Sequence, residues 1–159
     1  MTEQITHYKQ LQGATVESDK ENFSDEVHAL ALHLNDDTAT LDEVERWLDN
    51  EDYLVLDDED ADKKAEEYIR QSVWAFNACW LSWYCPDGIE AEHITALQGD
   101  SCEDCNDAMV AIVEAGKGMK ELISGAITAD GRGHFMSSYD GYENVETYND
   151  TEYYIYRIN

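Results

Sequence analysis

Residues 57–83 read DDEDADKKAEEYIRQSVWAFNACWLSW, and the fold class turns on how this stretch is taken. It opens with four consecutive carboxylates, Asp57, Asp58, Glu59 and Asp60, and ends among three tryptophans, Trp74, Trp80 and Trp83. The spacing predicts one long helix, polar at its start and increasingly apolar toward its end. Asp57 is placed to cap it. The three acids that follow fall in the first turn, where free amides and the positive end of the helix dipole favour negative charge. Ala61, Ala65, Tyr68, Ile69, Ser72, Phe76 and Trp80 trace the expected inward stripe, and Trp74 and Trp83 are expected to join the core.

Upstream of that stretch, Ser24 precedes DEVHALALHL, in which Val27, Leu30, Ala31 and Leu34 share one helical face. His28 and His33 fall off that face and read as boundary or solvent residues. Thr40 and Glu43 fit a capping box before a helix that buries Leu41, Val44, Trp47 and Leu48. Ile5, Tyr8 and Leu11 suggest a short helix or packed arm near the start, ended by Gly13. Tyr53 to Leu56 reads as a brief strand.

Downstream, the pattern predicts a turn at Cys85-Pro86-Asp87-Gly88 and a short helix from Ile89 to Leu97, with Gly99 and Asp100 as a break. Further helices are expected over Glu103 to Ala115 and Met119 to Ile127. Asp130 to Phe135 is expected as a glycine-rich loop. A tyrosine-rich hairpin closes the chain, with strands near Glu143 to Tyr148 and Glu152 to Ile158 around an Asn149-Asp150 turn. The expectation is therefore α+β: mostly helical, with a small C-terminal antiparallel sheet. At 159 residues it is a single domain, an acidic helical part over about 1–56 followed by the core helix and C-terminal part over about 57–159.

Charge sets this sequence apart. Thirty-six acids face ten bases, a formal net charge of -26. Residues 17–67 alone hold 20 acids and four bases, a net of -16. On a helix, one acid per about 2.5 residues spaces carboxylates about 3.8 Å apart along the axis. One strand of duplex DNA carries a charge about every 3.4 Å. Such a surface repels nucleic acid and anionic membrane and attracts basic partners, so direct nucleic-acid binding is excluded for the chain alone. A surface adapted only to solubility or high salt is the plain alternative.

The segments YLVLDDEDADKKAEEYIRQSVWAFN, ADGRGHFMSSYDGYE and YYIYRIN resemble a family of small proteins found in tailed phages and their hosts, over residues from about Tyr53 to the end. No activity is assigned to that family, so no functional residue carries over. The resemblance implies a phage or mobile-element setting and favours an inhibitor of a host protein.

These readings converge on an expectation: not an enzyme, but an acidic mimic of the phosphate backbone. It would occupy the cationic groove of a basic host protein that binds DNA or RNA, of the restriction, CRISPR, nuclease or polymerase class. The expected contact residues are Asp36, Asp37, Asp42, Glu43, Glu45, Asp49, Glu51, Asp52, Asp57, Asp58, Glu59, Asp60, Asp62, Glu66 and Glu67. The chain lacks an apolar leader and is expected in the cytoplasm, that of the host cell if phage-encoded, with no cofactor. A homodimer is compatible with this reading.

Two alternatives belong to other classes. Arg132, His134 and Asp140 would suit an enzyme or small-ligand site, supplying an anion clamp, a base and a carboxylate; as a packed polar knot, they would instead hold the fold. A phage structural or assembly protein is the other. Cys102-x-x-Cys105 has a zinc-knuckle spacing, and Cys79 and Cys85 would be the other ligands, but core cysteines are the favoured reading and no metal is expected. The runs Asp57 to Asp60 and Asp100 to Asp107 lack the pattern of a calcium loop.

Overall fold

The computed structural model describes residues 22–35 and 39–159. The expected arm around Ile5, Tyr8 and Leu11 lies outside the described residues. The expected α+β class holds: among the described residues helices dominate, and three strands form one antiparallel sheet. The chain divides into two compact units. Of the described residues, the first comprises those up to Asp62 together with 132–159, and the second residues 63–131.

In the first unit, α1 (Asp25–Leu34) starts where Ser24 Oγ accepts the amide of Val27, and it stops where Asn35 turns left-handed at φ 48°. α2 (Leu41–Asp49) carries the full Thr40–Glu43 capping box. Each such cap is worth about 1 kcal/mol. β1 (Tyr53–Leu56), β2 (Asn144–Tyr148) and β3 (Thr151–Arg157) pair in the order β1-β3-β2. Tyr53 lies opposite Arg157 and Tyr148 opposite Thr151. The β2–β3 turn puts Asn149 and Asp150 at φ 52° and 62°, the left-handed pair that a two-residue hairpin requires.

The core of this unit joins α1, α2 and the sheet through Leu30, Leu41, Val44, Val55 and Ile155, with Trp47 and Leu48 packed at its edge. His28 corrects the sequence reading, for it is fully buried. Its ring stacks on Tyr148 at 4.9 Å and meets the edge of Phe23 at 6.4 Å. The reason lies in α1, which has neighbours on two sides, α2 and the sheet, so residues off the main stripe are enclosed as well. His33 stays at the boundary, with Nδ1 3.8 Å from Glu146 Oε1.

The expected single rod over 57–83 is also corrected. α3 (Asp58–Gln71) is capped by Asp57, whose Oδ1 accepts the Asp60 amide at 2.9 Å, but the helix ends at Gln71. A three-ten turn, Val73–Ala75, and a new short helix, α4 (Ala78–Ser82), follow. The Ser72 hydroxyl donates to the Tyr68 carbonyl at 2.6 Å, and Asn77 caps α4 through the amides of Cys79 and Trp80. Side chains distant in sequence stabilise the break. Gln98 Nε2 donates to the carbonyls of Trp74 and Phe76, and Asn106 accepts from the Trp74 amide while donating to the Arg70 carbonyl. Ala61, Ala65 and Ile69 are buried as expected, whereas Tyr68 is exposed. Trp83 is 72% exposed rather than in the core, with Lys117 over its ring, and Trp74 is half-buried.

The second unit continues with α5 (Ala91–Ser101), a three-ten turn over Cys102–Cys105, α6 (Asn106–Ala115) and α7 (Met119–Asp130). Gly99 and Asp100 do not break α5; the chain turns only at Cys102, whose φ is 48°. Ile94, Met109, Val113 and Leu122 are buried. Gly116 ends α6 as expected, where the chain passes so near the Tyr84 carbonyl that a Cβ would lie 2.2 Å from it. In the first unit, the expected loop after Asp130 is a helix, α8 (Arg132–Met136). Gly131, at φ 79°, separates it from α7, and a Cβ on Gly133 would sit 2.6 Å from both the Glu143 amide and the Gly141 carbonyl.

Candidate functional site

The first unit concentrates the charge. Its described residues hold eighteen carboxylates against three arginines and no lysine, a net of -15. Which acids face solvent without a partner follows from the fold.

α2 buries Leu41 and Val44, and the helical repeat then turns Asp42, Glu45 and Asp49 outward along one side. Their spacings of three and four residues correspond to about 4.5 and 6 Å of helix axis. Asp42 and Asp49 are exposed, and Glu45 is half-exposed. Glu51 follows just beyond the helix, exposed and left-handed at φ 59°. Among the described residues, none of these four side chains is hydrogen-bonded or ion-paired.

Several other expected contact residues have internal work. Glu43 closes the capping box and lies 3.8 Å from Arg46. Asp52 Oδ1 accepts from Asn159 Nδ2 at 3.1 Å. Asp57 caps α3. Glu59 and Asp60 are exposed in its first turn. In the second unit, Glu66 pairs with Arg70 at 3.8 Å and Glu67 with Lys64 at 3.4 Å, which lowers their field. Asp36 and Asp37 lie outside the described residues.

Asp58 and Asp62 belong to a cluster around Arg132, whose side chain is only 10% exposed. Arg132 Nη1 reaches Asp58 Oδ1 at 2.9 Å and Asp62 Oδ1 at 2.8 Å, carboxylates one helical turn apart on α3. Its other edge grips Glu143 with two bonds, Nε to Oε2 at 2.8 Å and Nη2 to Oε1 at 3.3 Å. The Tyr154 ring lies under the guanidinium at 4.3 Å, and the Tyr156 hydroxyl donates to Glu143. Burial works against the charge of Arg132, but the bonds from Glu143 and Asp58 outweigh it and hold the guanidinium above its ordinary pKa. Burial, then the Glu143 carboxylate, raises the Tyr156 phenol.

The alternative set of Arg132, His134 and Asp140 is thereby separated in its contacts. Asp140 Oδ1 accepts from the Tyr142 amide at 2.9 Å and lies 2.7 Å from Ser137 Oγ; these bonds hold its pKa below the usual carboxylate range. His134 is exposed, against the reading of a packed polar knot, and meets the Phe135 ring edge-on. The Asp140-Gly141 turn is present, with Gly141 at φ 74°.

Cys85 and Cys105 are buried, whereas Cys79 and Cys102 are exposed. Burial raises the two buried thiols. Among the described residues, no three His, Cys, Asp or Glu side chains gather as metal ligands would. Among the same residues, no helix is long and apolar enough to cross a membrane.

Sequence reasoning missed the partners of Arg132. Glu143 lies 11 residues away, but Asp62 and Asp58 lie 70 and 74 residues away on α3, and the only signal was a lone arginine among glycines. No family model, no curated protein and no solved structure matches the chain.

Proposed function

We propose that this protein is a polyanionic mimic of a nucleic-acid backbone that inhibits a basic, DNA- or RNA-binding host protein by occupying its cationic groove. Its principal contact residues are Asp42, Glu45, Asp49 and Glu51. The observation that carries this reading is the outward row of unpaired acids on α2, a helix fixed by a capping box and by Leu41 and Val44 in the core. A stiff array of charge binds a groove at lower entropic cost than a floppy one.

The bases of the unit support the same reading. Arg132 is enclosed by three carboxylates, so its charge is spent away from the row, and Arg46, on α2 itself and 3.8 Å from Glu43, offsets at most one of the row's four charges. Enclosure of Arg132 also leaves its guanidinium occupied, which disfavours an enzyme that would use it to hold an anionic substrate. The resemblance to proteins of tailed phages fits a protein made in, and acting within, the cytoplasm of a bacterial host.

The test combines Asp42→Asn, Glu45→Gln, Asp49→Asn and Glu51→Gln in one chain. The wild type is expected to capture basic nucleic-acid-binding proteins from host lysate at low salt and to release them along a salt gradient, as screened attraction requires. The variant should keep its circular dichroism and capture none of them. A variant that holds the same partners as tightly at low salt ends the proposal.

A further inference from the structure

The proposed polyanion role leaves one cavity of the first unit unused. It has a volume of about 310 Å³, and its described lining is Leu34, Trp47, Asp52, Tyr53, Arg157 and Asn159. That volume lies at the lower end of small-ligand pockets. The lining is anchored: the Asp52 carbonyl accepts the amides of Ile158 at 2.9 Å and Asn159 at 3.3 Å, and Asp52 Oδ1 accepts from Asn159 Nδ2. Arg157 differs from the other two arginines of the unit. Among the described residues it forms no ion pair with a carboxylate side chain, although Asp140 stands near enough to feel its charge.

Its guanidinium instead lies 3.7 Å over the Tyr139 ring and 6.0 Å from that of Tyr53, and Nε donates to the Asn159 backbone oxygen at 2.8 Å. This bond uses the Nε side of a five-donor fork and leaves the Nη1–Nη2 end to bind a carboxylate with two bonds. On the other polar side, Asp52 has bound one oxygen and keeps the second.

We infer that this cavity binds a small zwitterion, an α-amino acid with an aromatic or large aliphatic side chain. Its carboxylate meets the outer end of Arg157, its ammonium meets the remaining oxygen of Asp52, and its side chain lies against Trp47, Tyr53 and Leu34. The charges select this class. A simple anion would enter against the net charge of the unit, and a simple cation would face Arg157. A zwitterion satisfies both lining charges and brings no net charge of its own.

The experiment is isothermal titration of the full chain with L-phenylalanine, L-tryptophan and L-leucine as probes, followed by N-acetyl-L-phenylalanine and L-phenylalaninamide. At least one free amino acid should bind saturably, and each blocked form of phenylalanine should bind at least about tenfold more weakly, about 1.4 kcal/mol. Arg157→Gln should lose about tenfold or more, and Arg157→Lys should fall between it and wild type. Where Arg157→Gln fails to fold, the blocked ligands on the wild type decide alone. No saturable binding up to about 10 mM, a free energy of only about 3 kcal/mol, overturns the inference. So does equal binding of free and blocked phenylalanine. The α2 acid variant should bind the amino acid as the wild type does, so this site and the polyanion surface fail or stand separately.

Discussion

At the scale of single residues, Arg132 bears the most. Arg132→Gln would leave Asp58, Asp62 and Glu143 facing one another without a cation. Unpairing a fully buried charge costs about 3–5 kcal/mol, but Asp58 and Asp62 are more than half exposed, so the expected loss is about 2–3 kcal/mol in urea denaturation. Arg132→Lys should recover only part of it, because an ammonium cannot reproduce the two-bond grip on Glu143. Glu146 responds to pH in the opposite sense from an ordinary paired carboxylate. Burial raises its pKa above the ordinary carboxylate value, and His33 offsets this only in part. The folded state therefore binds its proton first, and the ionised side chain costs stability at neutral pH. That cost is relieved as pH falls through the raised value and is gone below the unfolded one, about 4.3. Glu146→Gln should match or exceed the wild type in stability at pH 7 and lose its advantage toward pH 4.5. Thermal unfolding across that range checks the sign.

At the scale of elements, short-range chemistry was legible and long-range chemistry was not. Ser24, the Thr40–Glu43 pair, Asp57 and the Asn149-Asp150 turn act within four residues of themselves, and the sequence displayed each one. The break after Gln71 depends on Gln98 and Asn106, 22 to 36 residues from the backbone groups they bind, so no local periodicity could show it. The same limit governs the candidate surface. The excess of acid was plain, but its division into free acids on α2 and engaged ones at Asp52, Asp58 and Asp62 depends on Asn159 and Arg132, distant in the chain. α8 was hidden because its glycine is there for contact rather than for a turn. Gly133→Ala would force its Cβ against the backbone at Gly141 and Glu143, which are not the ends of flexible side chains and have little room to yield. The expected loss is about 2–3 kcal/mol, as for overpacked cores, with a lowered urea midpoint as the measure.

At the scale of the whole molecule, the charge of -26 opposes compaction. Raising ionic strength shortens the reach of that repulsion from about 30 Å at 0.01 M to about 3 Å at 1 M. The melting temperature should therefore climb steadily as sodium chloride is added, the reverse of the trend expected for partner binding. A melting temperature indifferent to salt would mean that the carboxylates are neutralised in some other way. The layout of the first unit bears on how the protein is made. β3 is the middle strand, and it alone among the described strands pairs with β1, placing Arg157 opposite Tyr53 across 104 positions of chain. A ribosome adding about 5–20 residues per second would release the acidic segment some 5–20 seconds before its missing strand. During that interval the nascent chain must persist without its sheet, kept from self-association by the mutual repulsion of its own carboxylates.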